Sequence, residues 1–289
     1  MWELVPQALV NGLLLASLYS IIALGLTLIF GVLDVVNFSH GQLVTLGAYL
    51  AFELASREFH LWLAIPVIMV MLGGVGLLME STTFRPVRAI PINGLLVSIG
   101  WIAILGNVFT VVWGPTPRNM NAGISGTLQL GLLTISLSQL IVLGASVLVM
   151  IAMTLVLRRT SAGRILRATA QNREAAMLMG IRVRRVDAAA FTVGAALAGL
   201  GGGLIANLFP IDPLLGESYM VYAFVALIVG GAGSAVGAVV GSVIVGLSIS
   251  LTQTFASTAV ASVAPFVVLI LVLFIRPKGV FASHQETSL

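Results

Sequence analysis

Apolar runs of about 20 residues, the length a helix needs to cross hydrocarbon, recur along this chain, and charges and turn residues collect between them. They fall near residues 8–30, 38–56, 61–80, 92–113, 138–158, 188–208, 219–231, 236–256 and 260–276. The pattern predicts nine spans, the seventh of them short. Backbone polar groups must be satisfied inside hydrocarbon, which favours an all-α polytopic membrane bundle. A transmembrane barrel would show short alternating segments instead.

Two apolar stretches are interrupted. GVLDVVNFSHGQ at 31–42 and GGAGSAVGAVVG at 230–241 carry Gly and polar side chains where the surroundings are strongly apolar. Broken helices persist at membrane depth only where protein or a water-filled cavity covers the freed backbone, and such segments in the two halves of a transporter mark permeation sites. On that reading Asn37, Ser39, His40 and Gln42, with Gly230, Gly231, Gly233 and Ser234, are candidates for a translocation path. Thr252 and Gln253 in the eighth span join them. The plainer alternatives are a cytoplasmic turn in which Asp34 or Asn37 caps the next helix, and close packing through small residues at 230–241. Glu53 and Glu80 fall near helix ends, where headgroup solvation is the default. With no acidic residue at the centre of a predicted span, ion coupling through this chain is not expected.

Composition agrees with the pattern. The chain is 59% hydrophobic and 8% charged, against roughly 25% charged in a soluble domain. The pI near 10.1 reflects basic residues beside the spans and does not point to nucleic acid. The absence of Cys removes disulfides, thiolate nucleophiles and iron–sulfur ligation, and His40, His60 and His284 are too scattered to propose a metal cluster. The first span lacks a basic leader and a cleavage pattern, so it is expected to stay in the membrane.

Charge sets the orientation. Arg158, Arg159, Arg164, Arg167, Arg173, Arg182, Arg184 and Arg185 account for eight of the 14 Lys and Arg residues. This island, with Arg85, Arg88, Arg276 and Lys278, belongs in the cytoplasm under the positive-inside rule. Alternation then places the N-terminus outside, with the loops at 114–137 and 209–218, and the C-terminus inside. The whole of 1–289 reads as one transmembrane domain with a cytoplasmic loop at 159–187. Helical spacing across 163–180 puts Arg164, Arg167, Gln171 and Glu174 on one stripe. Small residues at Ala168, Ala170, Ala175 and Ala176 allow a partner's backbone to approach, and Gly180 suits a left-handed cap. An interfacial helix meeting anionic lipid is the alternative.

Glu174, Ala175, Ala176 and Gly180 reproduce the EAA-x-x-x-G start of the cytoplasmic loop of ABC importer permeases, without the later Ile-x-Leu-Pro part. Together with GLTLIFGVLDVVNFSHGQLVTLGAYL, ATAQNREAAMLMGI, GGAGSAVGAVVG and RPKGVF in that order, the chain resembles the branched-chain amino acid ABC permease family, of the H-type subunit, over nearly its whole length. The resemblance implies a bacterial inner-membrane subunit that pairs with a second, related permease. Two cytoplasmic ATPases lie beneath, and a periplasmic solute-binding protein delivers leucine, isoleucine or valine. It implies that ATP and Mg are bound by those ATPases, with no cofactor here, and that Arg164, Arg167, Gln171, Arg173, Glu174, Ala175, Ala176 and Gly180 form the coupling helix. The chain has no GxxxxGK[ST] phosphate loop of its own. Urea, short amides or other amino acids are the alternative solutes, and an ATP-independent carrier or channel is the alternative class.

Overall fold

The computed structural model describes residues 2–88, 90–120, 126–131 and 133–281; His284 lies outside them. After a 3-10 turn at Trp2–Leu4 come α1 (Val5–Leu33), α2 (His40–Ser56) and α3 (Leu61–Met79). The last runs on through a π-helical stretch at Glu80–Phe84 into α4 (Arg85–Val87). Then follow α5 (Pro91–Trp113), an antiparallel hairpin of β1 (Thr127–Leu130) and β2 (Leu133–Ser136), α6 (Leu137–Arg159), α7 (Ser161–Gln171) and α8 (Arg173–Leu178). The chain ends with α9 (Val183–Ala206), α10 (Leu215–Gly230), α11 (Ala235–Phe255) and α12 (Thr258–Ile275).

Each of the nine expected segments coincides with a helix. Among the described residues 7 are long and apolar enough to cross a bilayer. The other two are shorter, α2 with 17 residues and α10 with 16. The protein is a polytopic helical membrane bundle.

Burial sorts the helices into an inner and an outer set. The most apolar window of α1 is 83% buried and that of α9 is 72% buried, while those of α5 and α12 are only 11% buried. A helix apolar on all sides and largely uncovered belongs against lipid or another membrane subunit. Inside, Leu18, Ile21, Ile22 and Ile29 of α1 pack with Leu43 and Tyr49 of α2, Ile68 and Leu72 of α3, and Phe191 and Leu204 of α9. In lipid the hydrophobic effect does little to hold helices together, so close approach through small residues takes over. A Cβ on Gly47 would lie 2.5 Å from the Gly199 carbonyl, and one on Gly202 would lie 2.0 Å from that of Val44.

Two of these approaches are reciprocal. A Cβ on Gly25 would meet the Gly194 carbonyl and the reverse, each at 2.9 Å, and Gly41 and Gly216 block one another in the same way at 2.6 and 1.8 Å. The helices α1 and α9 run antiparallel, since Gly201 faces Ile22 while Gly194 faces Ile29. Around them α3 packs on α9 as α11 packs on α1, and α2 meets α9 as α10 meets α1. This is the contact pattern of an inverted repeat, α1, α2 and α3 against α9, α10 and α11.

The repeat explains why α2 and α10 are short. After Asp34, which closes α1 in a left-handed conformation at φ 54, the chain turns back along the bundle. The Phe38 ring packs tilted against that of Phe224 at 5.7 Å, and His40 packs beside Gly25. Gly25 precedes the last residue of α1 by two turns, so α2 starts about 12 Å inside that end. On the other side, Tyr19, the middle residue of α1, meets the rings of Tyr219 and Tyr222 at 5.8 and 5.7 Å. The first turn of α10 therefore lies level with the middle of α1. The 209–218 segment, expected outside, instead descends into the bundle after Ile211 pairs with Arg118 through backbone bonds of 2.7 and 2.8 Å.

Candidate functional site

The N-terminal turns of α2 and α10 meet at the Gly41 and Gly216 contact. Asn37 launches α2 through its side-chain oxygen, which accepts from the Ser39 amide at 3.1 Å and the Ser39 hydroxyl at 2.6 Å. Asn37, Ser39, His40 and Gln42 are all buried. The Ile22 carbonyl interacts with the His40 ring, yet neither ring nitrogen completes a hydrogen bond. Gln42 donates its amide to Glu217 at 2.9 Å, and the Thr45 hydroxyl accepts from the Gly216 amide at 2.9 Å. Glu217 itself is exposed, as are Leu214, Ser218 and Val221 beside it on α10.

The Glu217 carboxylate stands in the first turn of α10, level with the middle of α1. Glu217 and Thr45 were not flagged by the sequence. The repetition of a Gly followed by an amide or acid side chain, Gly41 with Gln42 and Gly216 with Glu217, is the signal that marks them.

The second flagged stretch is a tight hairpin between α10 and α11. Gly231 and Gly233 take φ 105 and 85, conformations that favour glycine, and the Ser234 hydroxyl caps α11 by accepting from Gly237 at 3.0 Å. A Cβ on Gly230 would lie 1.9 Å from the Gly237 carbonyl. The segment after α12 closes over this turn, with Val280 and Phe281 donating to the carbonyls of Val229 and Gly230 at 3.0 and 2.8 Å. Gly233 lies against Gly31, at the C-terminal end of α1. Thr252 and Gln253 sit at the other end, because α11 runs the length of α1 and Ser250 donates to the Ala8 carbonyl at 2.7 Å. The structure does not bring Thr252 and Gln253 to the other flagged residues.

The loop at 159–187 also departs from expectation. Residues 163–180 form two helices rather than one, because Asn172 is extended (φ −154, ψ 108) and its side chain caps α8 by accepting from the Ala175 amide at 2.9 Å. Asparagine competes with helix backbone in this way and favours N-caps. The break divides the single stripe. Arg164, Arg167 and Gln171 are exposed on α7, and Glu174 and Ala175 are exposed on α8, while Ala176 is buried. Arg173 turns inward to Asp187. Gly180, at φ 80, closes α8, with the Ile181 amide returning to the Ala176 carbonyl at 3.0 Å. Beyond the flagged set, Met177, Leu178 and Met179 project outward, the last two 88% and 83% exposed.

Buried beneath them, Asp187 is fully covered and binds Arg88 and Arg173. Glu80, placed by the sequence near solvent, is likewise buried and paired with Arg85 at 2.6 Å.

Residues 8–273 match the family model for the permease component of the branched-chain amino acid transport system. The high-affinity branched-chain amino acid transport system permease protein LivH of Escherichia coli K12 is 30% identical over 295 residues, 96% of each chain. BraD, the corresponding protein of Pseudomonas aeruginosa, is 30% identical over 298 residues, again 96% of each. Among solved structures, PsaBC from Streptococcus pneumoniae in complex with Fab superposes with a TM-score of 0.53 over 94% of this chain and 92% of that one, at 13% identity, a likeness of fold.

Proposed function

Because the chain belongs to the branched-chain amino acid transport permease family, we propose that it is the membrane permease subunit of an ATP-driven ABC importer, carrying leucine, isoleucine and valine inward across the bacterial inner membrane. It receives solute from a periplasmic binding protein, pairs with a second, related permease and is driven by two cytoplasmic ATPases that hold ATP and Mg. The chain itself performs no catalysis. Its N-terminus is periplasmic and its C-terminus cytoplasmic.

The observation that carries this reading is the α7 and α8 pair in the loop with the basic excess, where Arg164 and Arg167 on α7 and Glu174, Leu178 and Met179 on and just after α8 are all exposed. Large apolar side chains held out by a capped turn fit a groove on another protein. Closure of the ATPases would push this pair and rock the bundle between two discrete packings. The α2 and α10 junction provides the path: Gln42 stands behind Glu217, and Asn37, Ser39 and His40 shape the connection that leads to it.

The test is reconstitution in proteoliposomes with the companion permease, ATPases and binding protein, followed by uptake of labelled leucine with and without internal ATP. Uptake that requires both ATP and the binding protein is expected. Uptake without ATP overturns the importer reading in favour of a carrier or channel, and ATP-driven uptake of urea or short amides in place of leucine overturns the solute.

A further inference from the structure

A carboxylate level with the middle of a membrane bundle is costly and calls for water, a partner charge or a function. Glu217 is such a group, and among the described residues no Lys, Arg or His forms an ion pair with it. Its hydrogen-bond partner, Gln42, is neutral. Because a carboxylate only accepts, the Gln42 amide must turn its N–H toward Glu217. That leaves the Gln42 carbonyl oxygen buried without a partner. Two acceptors thus stand together with no cation between them. On the exposed side, Leu214 and Val221, 60% and 44% exposed, flank Glu217 by about one turn on each side.

We infer that Glu217, positioned by Gln42, holds the ammonium group of an amino acid solute on the path, with Leu214 and Val221 meeting its apolar side chain. The inference rests on the importer reading and narrows it, since an ammonium compensates the exposed carboxylate charge, whereas neutral urea leaves the charge uncompensated. The backbone donors at the start of α10 are already taken by Asp212, Leu214 and Thr45, so the site is built for a cation and not for the solute's carboxylate.

The experiment uses the full reconstituted complex with Glu217→Gln and Glu217→Asp, scoring ATP-driven leucine uptake, basal ATP hydrolysis and subunit composition. Glutamine keeps the size and still accepts the Gln42 N–H, so a purely structural role is preserved in that variant. Loss of a charged hydrogen bond predicts that Glu217→Gln lowers uptake roughly tenfold or more, that Glu217→Asp retains more activity than Gln, and that subunit assembly is unchanged. Wild-type uptake in Glu217→Gln overturns the assignment, as does loss of the companion permease from that variant, which would mark Glu217 as a subunit contact. A wild-type complex that imports urea but not leucine removes the ammonium role while leaving the importer intact. No ATP-driven uptake of either removes both.

Discussion

Arg173 donates to the Asp187 carboxylate at 2.9 Å and to the Val32 carbonyl at 2.7 Å, so one side chain of α8 grips both central helices, α9 and the end of α1. Arg88, just beyond α4, binds the same Asp187 oxygen. A push on α8 therefore reaches the inner set of helices directly, without passing through the outer ones.

Removing the shared carboxylate leaves two guanidiniums facing a buried position. Asp187→Ala is expected to cost about 3 kcal/mol of stability, read as a lower thermal midpoint of the purified protein. Arg173→Ala leaves Asp187 still paired with Arg88 and should be milder in stability, yet it removes the link from α8 to α1 and α9. Its predicted signature is less leucine imported per ATP hydrolysed, with the ATPases still bound. Unchanged stoichiometry in Arg173→Ala would show that force enters by another route.

Leu178 and Met179 contact little of their own chain, so replacing them tests docking with little risk to the fold. Leu178→Asp with Met179→Asp should abolish co-purification of the ATPases while leaving the thermal midpoint of the permease unchanged. The double swap Arg167→Glu with Glu174→Arg changes only exposed charges and should reduce solute-stimulated hydrolysis. Normal stimulation in both variants would place the ATPase contact elsewhere.

Glycine contacts make a sharper prediction about the crossing of α2 and α10. A Cβ on Gly216 would lie 1.8 Å from the Gly41 carbonyl, whereas one on Gly74 meets nothing within 4 Å. Gly216→Ala must move backbone against backbone, an overpacking cost of about 3 kcal/mol, and should lower both thermal midpoint and transport. Gly74→Ala, on an open helix face, should be neutral or stabilising by up to about 1 kcal/mol. Equal behaviour of the two variants in a melting series would contradict the close crossing.

The helices were legible because hydrophobic run length is a local property, and the loop at 159–187 because charge density is local too. What the sequence hid depends on depth. Residues 209–218 contain two acids and two prolines and read as an outside loop, yet the pairing of Ile211 with Arg118 and the Gly41 contact draw Glu217 inward. The stripe from Arg164 to Glu174 failed for a local reason, since the capping chemistry of Asn172 outweighs helical continuity. Asp187 was readable in principle as the single acid following a run of Arg residues, but only the fold shows that it is buried and shared.

Orientation is the remaining expectation that solution chemistry settles cleanly, because the chain has no Cys and single cysteines can be introduced without background. Gln129 on the hairpin and Gln171 at the end of α7 are both exposed, and the positive-inside rule places them on opposite sides. In right-side-out vesicles a membrane-impermeant maleimide should label Gln129→Cys and spare Gln171→Cys, with the pattern reversed in inside-out vesicles. Ser218→Cys adds depth to the map. It neighbours Glu217 on the exposed face of α10, so a small cationic thiol reagent should reach it from one side only if that face lines water. Its modification should then block leucine uptake and be slowed by saturating leucine during turnover. Protection would tie the mid-bundle face to the moving solute, whereas labelling indifferent to leucine would leave Ser218 on a surface that the solute does not visit.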